Sequence, residues 1–228
     1  MDTLIDFDRW LLLVVNGSSS LYLDGVVKVL TTATTWIPLY IGLFFLIMRN
    51  NSTVHRILFI IGCALLCYLL AGAVDDGIVK PLVARWRPTH DPVIGWQVDV
   101  VNGYRGGKYG FFSAHASNTM SVAVFFSWLV RSRRLSFMLV CWSLLNCWTR
   151  LYLGVHFPGD IIVGLLWGTT VATTIYFIYR RLTRDMYMPR NLNPAQYTTA
   201  CYRRRDCNWP IVMFMFTLSF AFIKACIL

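Results

Sequence analysis

Long runs of apolar residues, separated by shorter polar segments, occur six times along the chain. A helix needs about 20 apolar residues to cross the hydrocarbon core of a bilayer. The pattern therefore predicts an all-α fold, a polytopic membrane helical bundle with six transmembrane helices. No fixed-period repeat is present, and one integral membrane domain, residues 1–228, accounts for the whole sequence. The predicted spans are residues 29–48, 57–79, 114–130, 135–153, 158–179 and 209–228.

The first 16 residues have a different pattern, in which Asp and Arg separate the apolar positions. This alternation is typical of a short amphipathic helix lying in the membrane interface. Asn16 and Gly17 are expected to end the helix. A cleavable signal peptide would begin with basic residues, whereas this segment is acidic, so none is predicted. The apolar positions are Leu4, Ile5, Trp10, Leu11 and Val14.

Composition supports a membrane protein and narrows the class of partner. Hydrophobic residues make up 57% of the chain and charged residues 14%, against about a quarter charged residues in a soluble domain. The formal net charge is +10, which favours nucleic acid, anionic lipid or a phosphate-bearing substrate. Nucleic acid is not expected, because the cations are scattered between apolar runs and do not line one soluble face.

Neither a metal ion nor a cofactor is expected. Four of the seven cysteines lie within apolar runs, where cysteine is an ordinary small core residue. Cys201 and Cys207 flank an arginine cluster, but no His or second Cys pair stands beside them to complete a zinc site. The sequence also lacks a cluster of carboxylates that would suit Mg²⁺.

The distribution of Lys and Arg orients the predicted helices. With six spans, the connections 49–56, 131–134 and 180–208 share one side and hold twelve Lys/Arg and two Asp. The other side holds nine Lys/Arg and nine Asp. The positive-inside rule makes the first side cytoplasmic. The long polar connection 81–113, the turn 149–158 and both termini then face outward.

Three charged stretches reach this predicted outer surface, and we call them the site motifs. They are 80–88 (KPLVARWRP), 111–118 (FFSAHASN) and 149–160 (TRLYLGVHFPGD). Charge among apolar segments is costly and usually functional. The motifs bring four cations and two of the four histidines to one face, and a phosphate group accounts for that convergence. These residues are Lys80, Arg85, Arg87, Arg150, His115 and His156.

Two histidines at one phosphate suggest a nucleophile and a general acid. His156 is followed four residues later by Asp160, whose carboxylate can fix one imidazole tautomer and raise its basicity, so His156 is the better nucleophile. His115 has no nearby acid and is the better proton donor. It follows Ser113 and Ala114 where a loop enters the third span, and the free N–H groups there favour an anion. The residues alone also allow a simpler role for His156 and Asp160, a pair that caps a helix.

The order and spacing of these residues resemble the type-2 phosphatidic acid phosphatase (PAP2) superfamily, which is shared with vanadium haloperoxidases. The pattern is Lys-x6-Arg-Pro, then Ser-x-His, then Arg-x5-His-x3-Asp, and the resemblance covers residues 54–180. The corresponding residues here are Lys80, Arg87, Pro88, Ser113, His115, Arg150, His156 and Asp160. Where the family usually has Pro, Gly and Ser, this sequence has Phe112, Ala114 and Thr149.

The resemblance implies a phosphohistidine mechanism without a metal ion. His156 would be the nucleophile, Asp160 would orient it, and His115 would be the general acid. Water would then release phosphate from the intermediate. The groups that would bind the phosphoryl oxygens are Lys80, Arg87, Ser113, the amide of Ala114 and Arg150.

The expected function is that of a membrane lipid phosphatase in a bacterial inner membrane, with its active site facing the periplasm. Similar bacterial proteins dephosphorylate undecaprenyl pyrophosphate, phosphatidylglycerol phosphate, phosphatidate or lipid A, and a periplasmic site favours undecaprenyl pyrophosphate or lipid A. Transfer of phosphate between lipids through the same phosphohistidine stays open. So does a non-catalytic transporter with an anion-binding vestibule, although the sequence lacks the paired halves usual in transporters. The expected partners are the phosphorylated lipid and membrane lipids, and no oligomeric state is predicted.

Several other charged or polar residues receive separate interpretations. Asp75 and Asp76 are predicted to be structural. Arg85, inside the spacer of the first motif, is either part of the site or a lipid or surface contact. The cluster 203–205 is predicted to contact anionic lipid at the cytoplasmic surface. The candidate headgroup contacts are Tyr104, Arg105 and Lys108.

Overall fold

The computed structural model describes residues 2–183 and 192–227, and within them nine α-helices are joined by turns and short 3₁₀ or π segments. Strand-like pairing in these residues is limited to two isolated bridges, so the predicted all-α class is confirmed. Residues 184–191 of the predicted cytoplasmic connection and Leu228 of the last predicted span lie outside the described residues. The helices are α1 (Asp2–Val15), α2 (Leu21–Thr31), α3 (Ile37–Asn50), α4 (Val54–Val74), α5 (Lys80–Val83), α6 (Ala114–Val130), α7 (Arg133–Tyr152), α8 (Pro158–Leu182) and α9 (Asn208–Ala225).

Three helical segments of the described chain are long and apolar enough to cross a membrane. They are α8, α9 and Val54–Val83, which joins α4 to α5 through the π-helical turn Asp75–Val79. α2 and α3 supply a fourth span if the bent pair is taken as one. α6 is only 17 residues long and α7 contains Arg, Ser and Asn, so neither qualifies by itself. The count of six spans therefore stays a prediction.

The first predicted span, 29–48, is not one continuous helix in the structure. A 3₁₀ turn, Ala33–Trp36, separates α2 from α3, and the two helices meet at a bend of 70°. Two side chains of the 3₁₀ turn donate to carbonyl oxygens in the last turn of α2. Thr35 Oγ1 donates to Val29 O at 2.7 Å, and Trp36 Nε1 donates to Leu30 O at 2.9 Å. These bonds permit the break, because a helix can be interrupted in an apolar environment only where its freed carbonyl groups find new donors.

α6 is the central helix of the bundle and packs against α4, α7 and α8. Ser117 Oγ donates to the carbonyl oxygen of Ala71 on α4 at 3.1 Å. Thr119 Oγ1 forms a hydrogen bond of 2.8 Å with Ser143 Oγ on α7. Hydrogen bonds between apolar helices fix how the helices are rotated against each other. The first residues of α6, which belong to the second site motif, are positioned in this way.

Two glycines of α8 allow it to approach α6 closely. A Cβ atom at Gly164 would lie 2.7 Å from the carbonyl oxygen of Ser113, and one at Gly168 would overlap the carbonyl oxygen of Ser117. Small residues four apart are a common device for such backbone contact between membrane helices. The contact brings the start of α6 beside the start of α8, where the second and third site motifs lie.

We expect Gly168→Ala to lower the melting temperature by several degrees. Alanine adds about 1 kcal/mol of helix propensity over glycine, but overpacking a close contact costs about 1–3 kcal/mol, and the new Cβ has no space beside Ser117. Gly62→Ala is the matched control, because a Cβ at this α4 position meets no atom within 4 Å. Thermal unfolding in detergent measures both variants. Equal melting temperatures would show that α8 does not depend on this contact.

α1 packs against the long loop that follows α5 and against the start of α8. Arg9 binds the Asp91 carboxylate through two nitrogens at 3.1–3.3 Å, and Leu12 is fully buried in a cluster with Ile94, Val98 and Phe157. Apolar side chains on the rest of its surface are exposed, among them Leu4, Phe7, Trp10 and Val14. A helix with one face on the protein and apolar residues exposed elsewhere suits the membrane interface, and that location stays a prediction.

Candidate active site

His156 lies in the turn between α7 and α8, and Asp160 lies in the first turn of α8. Both side chains are buried, with 2% and 0% of their surface exposed, and His156 Nδ1 is 3.7 Å from Asp160 Oδ2. The same carboxylate oxygen accepts from the backbone N–H of Phe157 at 3.0 Å. Asp160 therefore caps α8 and faces the imidazole at the same time, so the two interpretations drawn from the sequence describe one arrangement.

The surroundings of His156 select one imidazole tautomer. Arg87 Nη1 is 3.4 Å from Nε2 of the ring. A guanidinium group can only donate, so this contact favours the tautomer with the proton on Nδ1, which is 3.7 Å from Asp160 Oδ2 and has no hydrogen-bond partner among the described residues. The pKa of His156 lies well below 6.5, mainly because the ring is buried and also because of the charges of Arg87, Arg150 and Lys80. The imidazole is therefore neutral at neutral pH and carries a lone pair on Nε2.

Arg87 is fixed by backbone groups on two sides. Its own N–H donates to the carbonyl oxygen of Lys108 at 3.1 Å. Its Nε donates to Tyr109 O at 3.1 Å and its Nη1 to Val155 O at 3.2 Å. These bonds attach the loop after α5 to the turn that carries His156, and they leave the guanidinium beside the imidazole.

Lys80 projects from the end of the π-helical turn and is paired with two carboxylates. Its Nζ lies 2.8 Å from Asp75 Oδ2 and 2.5 Å from Asp76 Oδ1. Asp75 is fully buried, whereas 67% of the Asp76 side chain is exposed. The two acids therefore hold the ammonium group in place, which agrees with the structural role predicted for them.

The start of α6 provides several unsatisfied donors. Ser113 is the N-cap residue and is fully buried, and its Oγ has no hydrogen-bond partner among the described residues. Its backbone N–H donates to the carbonyl oxygen of Asp160 at 3.1 Å. Ala114 and His115 follow in the first turn, where the backbone N–H groups have no intrahelical acceptor. A helix N-terminus with free N–H groups is a favourable position for a phosphate.

Arg150 is 97% buried near the end of α7, although it carries a full charge. Nη1 donates to Thr31 Oγ1 at 2.6 Å, and Nη2 donates to the Tyr104 hydroxyl at 3.2 Å. Its Nε has no partner within the described chain. Burial raises the pKa of Tyr104, but the hydrogen bond and charge of Arg150, with the charge of Arg87, bring that pKa below 10.0. Arg150 is thus oriented by neutral oxygens and keeps its charge available for an anion.

The three site motifs come together around the two histidines. His115 is half-buried and lies within electrostatic range of His156 and of three cations, which also act on His156. A tetrahedral anion suits the combination of these cations, a helix N-terminus and a buried hydroxyl without a partner. Within residues 2–183 and 192–227, no group of three or more His, Cys, Asp or Glu side chains is arranged to hold a metal ion. The three cations are Lys80, Arg87 and Arg150.

Some residues of the site were not identified from the sequence. Arg85, whose role stayed open, donates from Nη1 to Asp160 Oδ1 at 2.7 Å and from Nη2 to Asp8 Oδ2 at 2.6 Å. Thr31 binds Arg150, yet a threonine in an apolar run gives no signal in the sequence. For Asp8 the only signal is the density of Asp in the first 16 residues. Of the candidate headgroup contacts, Tyr104 accepts a hydrogen bond from Arg150, and contact of these residues with a lipid headgroup stays a prediction.

The amino-acid sequence is similar to one protein-family model and to several characterised phosphatases. The model of the PAP2 superfamily matches residues 58–184. A lipid A 4'-phosphatase of Bacteroides thetaiotaomicron is 35% identical over 184 residues, which are 80% of this chain and 81% of that protein. A lipid A 4'-phosphatase of Porphyromonas gingivalis is 36% identical over 181 residues, 78% of this chain and 75% of that protein.

A third relative is similar over a shorter region. The decaprenylphosphoryl-5-phosphoribose phosphatase of Mycobacterium tuberculosis is 34% identical over 98 residues, which are 43% of this chain and 50% of that protein. No solved structure matches the chain significantly. The similarity therefore extends over most of the length of the two lipid A phosphatases and over about half of the mycobacterial protein.

Proposed function

This chain belongs to the PAP2 superfamily and is a lipid phosphatase, and we propose that it removes the 4′-phosphate of lipid A. The observation that carries this proposal is its likeness to two lipid A 4'-phosphatases over about four fifths of the chain. The geometry around His156 supports the chemistry, because a neutral buried imidazole lies beside Asp160 and Arg87. Undecaprenyl pyrophosphate is the second candidate substrate, since one relative is named for a decaprenyl lipid.

The reaction proceeds through a phosphohistidine. Nε2 of His156 attacks phosphorus, the bond from phosphorus to the lipid oxygen breaks, and His115 gives its proton to that oxygen. A water molecule then attacks the phosphohistidine and gives a proton to His115, so that inorganic phosphate leaves and both imidazoles return to their first state. Asp160 keeps the proton on Nδ1 and stabilises the positive charge that develops on the ring.

The cations bind the phosphoryl oxygens and stabilise their charge during the transfer. Arg87 donates to Nε2 of His156 in the free protein, so substrate binding moves this donor onto a phosphoryl oxygen and frees the lone pair. Lys80 and Arg150 balance the remaining charge, and Arg150 offers its Nε, which has no partner in the described part of the chain. Ser113 Oγ and the amide of Ala114 add neutral donors at the start of α6.

The active site faces the periplasm in the proposed topology. The six spans are the bent pair α2–α3, the segment Val54–Val83, α6, α7, α8 and α9, and α1 lies in the outer interface. The positive-inside rule supports this orientation, since twelve Lys/Arg and two Asp lie on the opposite side. Residues 54–180 then form the phosphatase core within a single membrane domain, and 209–228 is the last span. The protein is placed in a bacterial inner membrane, where a phosphorylated lipid reaches the site from the outer leaflet.

A panel of lipid phosphates tests the proposed substrate. The purified protein in detergent is given lipid A, undecaprenyl pyrophosphate and phosphatidate separately, and inorganic phosphate and the lipid product are both measured. We expect release of phosphate from lipid A, with mass spectrometry locating the loss at the 4′ position. Faster release from undecaprenyl pyrophosphate would overturn the lipid A assignment. Appearance of phosphate on a second lipid, without free phosphate, would identify a phosphotransferase instead.

A further inference from the structure

Asp8 lies on α1, outside the residues that the family model matches, and yet its carboxylate reaches the catalytic cluster. Its Oδ2 accepts from Arg85 Nη2 at 2.6 Å. Its Oδ1 accepts from the backbone N–H of Gly159, in the first turn of α8, at 2.7 Å. Only 14% of the side chain is exposed. Both carboxylate oxygens of Asp8 are thus bound to groups next to Asp160.

Arg85 connects Asp8 to Asp160 by dividing its two terminal nitrogens between them. Nη2 binds Asp8, and Nη1 binds Asp160 Oδ1 at 2.7 Å. The guanidinium lies over the ring of Phe157, 4.4 Å from its centre. Because Arg85 uses a single nitrogen on Asp160, the other oxygen of that carboxylate is left for the N–H of Phe157 and for the imidazole of His156.

Without Asp8, the arginine would be free to bind Asp160 differently. Arginine binds carboxylates preferentially through two parallel hydrogen bonds. A guanidinium released from Asp8 can rotate until both nitrogens engage Asp160. That arrangement would draw Oδ2 away from Nδ1 of His156 and weaken the orientation of the nucleophile.

α1 itself is held by contacts that do not involve Asp8. Arg9 binds Asp91, Leu12 is buried, and Asn16 donates to the carbonyl oxygens of Tyr152 and Asp99 at 2.9 and 3.1 Å. A change confined to the Asp8 carboxylate therefore leaves the helix docked. This separation makes the role of the carboxylate testable.

We propose that Asp8 is a positioning residue for the phosphatase reaction, acting through Arg85 and Asp160 on His156. The inference rests on the proposed function, because it assumes His156 as the nucleophile. Asp8 lies on α1, outside the phosphatase core of residues 54–180, so the core alone lacks a residue that positions Asp160. Misplacement of a reacting group by about 1 Å can cost about 100-fold in rate.

Asp8→Asn tests this proposal by kinetics of phosphate release from lipid A. We expect kcat to fall about tenfold, with KM within about twofold, because the phosphate-binding cations are unchanged. Asp6→Asn is the matched control: Asp6 lies on the same helix, 70% of its side chain is exposed, and within the described residues its side chain pairs with Arg9 alone, at 3.5 Å. Its kcat should equal that of the wild type. A wild-type kcat in Asp8→Asn would overturn the proposal.

A double-mutant cycle separates positioning from general packing of α1. In an Arg85→Gln background, adding Asp8→Asn should cost less than about twofold, because the connection to Asp160 is already broken. The same tenfold loss in both backgrounds would overturn the proposal. If Asp8→Asn does not fold, Asp8→Glu, which keeps the charge, takes its place: activity within about threefold supports the connection and a tenfold loss contradicts it. Failure of the wild type to release phosphate would instead refute the proposed function.

Discussion

His156→Ala is expected to release phosphate from lipid A at least about 10⁴-fold more slowly than the wild type. In the proposed mechanism the substitution removes the atom that bonds to phosphorus, and His115, which lies on α6, is assigned the separate role of the acid. The cations proposed to bind the phosphate are unchanged in this variant, so KM should change far less than kcat. A loss confined to kcat is the mark of a group that acts in the transition state.

Retention of the fold must be shown for the same preparation. His156 is almost fully buried, so its truncation leaves a small cavity, and the melting temperature should fall modestly while the transition stays cooperative. His55→Ala is the matched control, because His55 is exposed at the start of α4, far from the three site motifs in sequence. It should have wild-type activity. If His156→Ala keeps activity within tenfold of the wild type, His156 is not the nucleophile.

Trapping gives a second measurement of the same step. Wild-type protein mixed with substrate carrying labelled phosphate and then denatured should retain label, because the intermediate is covalent. His156→Ala should retain none. Equal label on the wild type and on the variant would show that the covalent bond to phosphate forms at another residue. This outcome would preserve the phosphatase activity while refuting the role of His156.

The helices were predictable where each apolar run ends at a clear polar boundary. α8 and α9 follow the predicted spans because Pro158 and the polar residues before Trp209 mark their starts. The bend between α2 and α3 was not predictable from hydropathy, which averages over Thr32 and its neighbours. The bend depends on specific side-chain bonds to the carbonyl groups of α2, such as that of Thr35, and these exist only in three dimensions.

The candidate site was predictable where its residues are close in sequence. Arg150, His156 and Asp160 all lie within the motif 149–160, and the resemblance of their spacing to the PAP2 pattern predicted that they act together. The supporting residues were not predictable, because their contacts join distant parts of the chain: Arg85 and Asp8 are separated by 77 positions. Such pairs have no periodicity, and each member is an ordinary charged residue in its own segment.

His115→Ala is expected to lose activity in a way that depends on the leaving group. Lipid A releases a sugar hydroxyl, which departs as a poor leaving group unless it receives a proton. Removal of the general acid should therefore slow release from lipid A by about 10²–10⁴-fold. An activated ester such as 4-nitrophenyl phosphate releases a stable phenolate, so the loss there should be tenfold at most, because protonation contributes little.

The loss of activity on lipid A, compared with the loss on 4-nitrophenyl phosphate, distinguishes the roles of the two histidines. His156→Ala removes the nucleophile, so it should abolish turnover of both substrates equally. The side chain of His115 forms no hydrogen bond within the described residues and is half-buried on the first turn of α6, so its truncation disturbs little besides proton transfer. Equal losses on both substrates for His115→Ala would assign it to phosphate binding. A large loss only on lipid A fits a proton donor to the leaving oxygen, because that is the one step in which the two substrates differ.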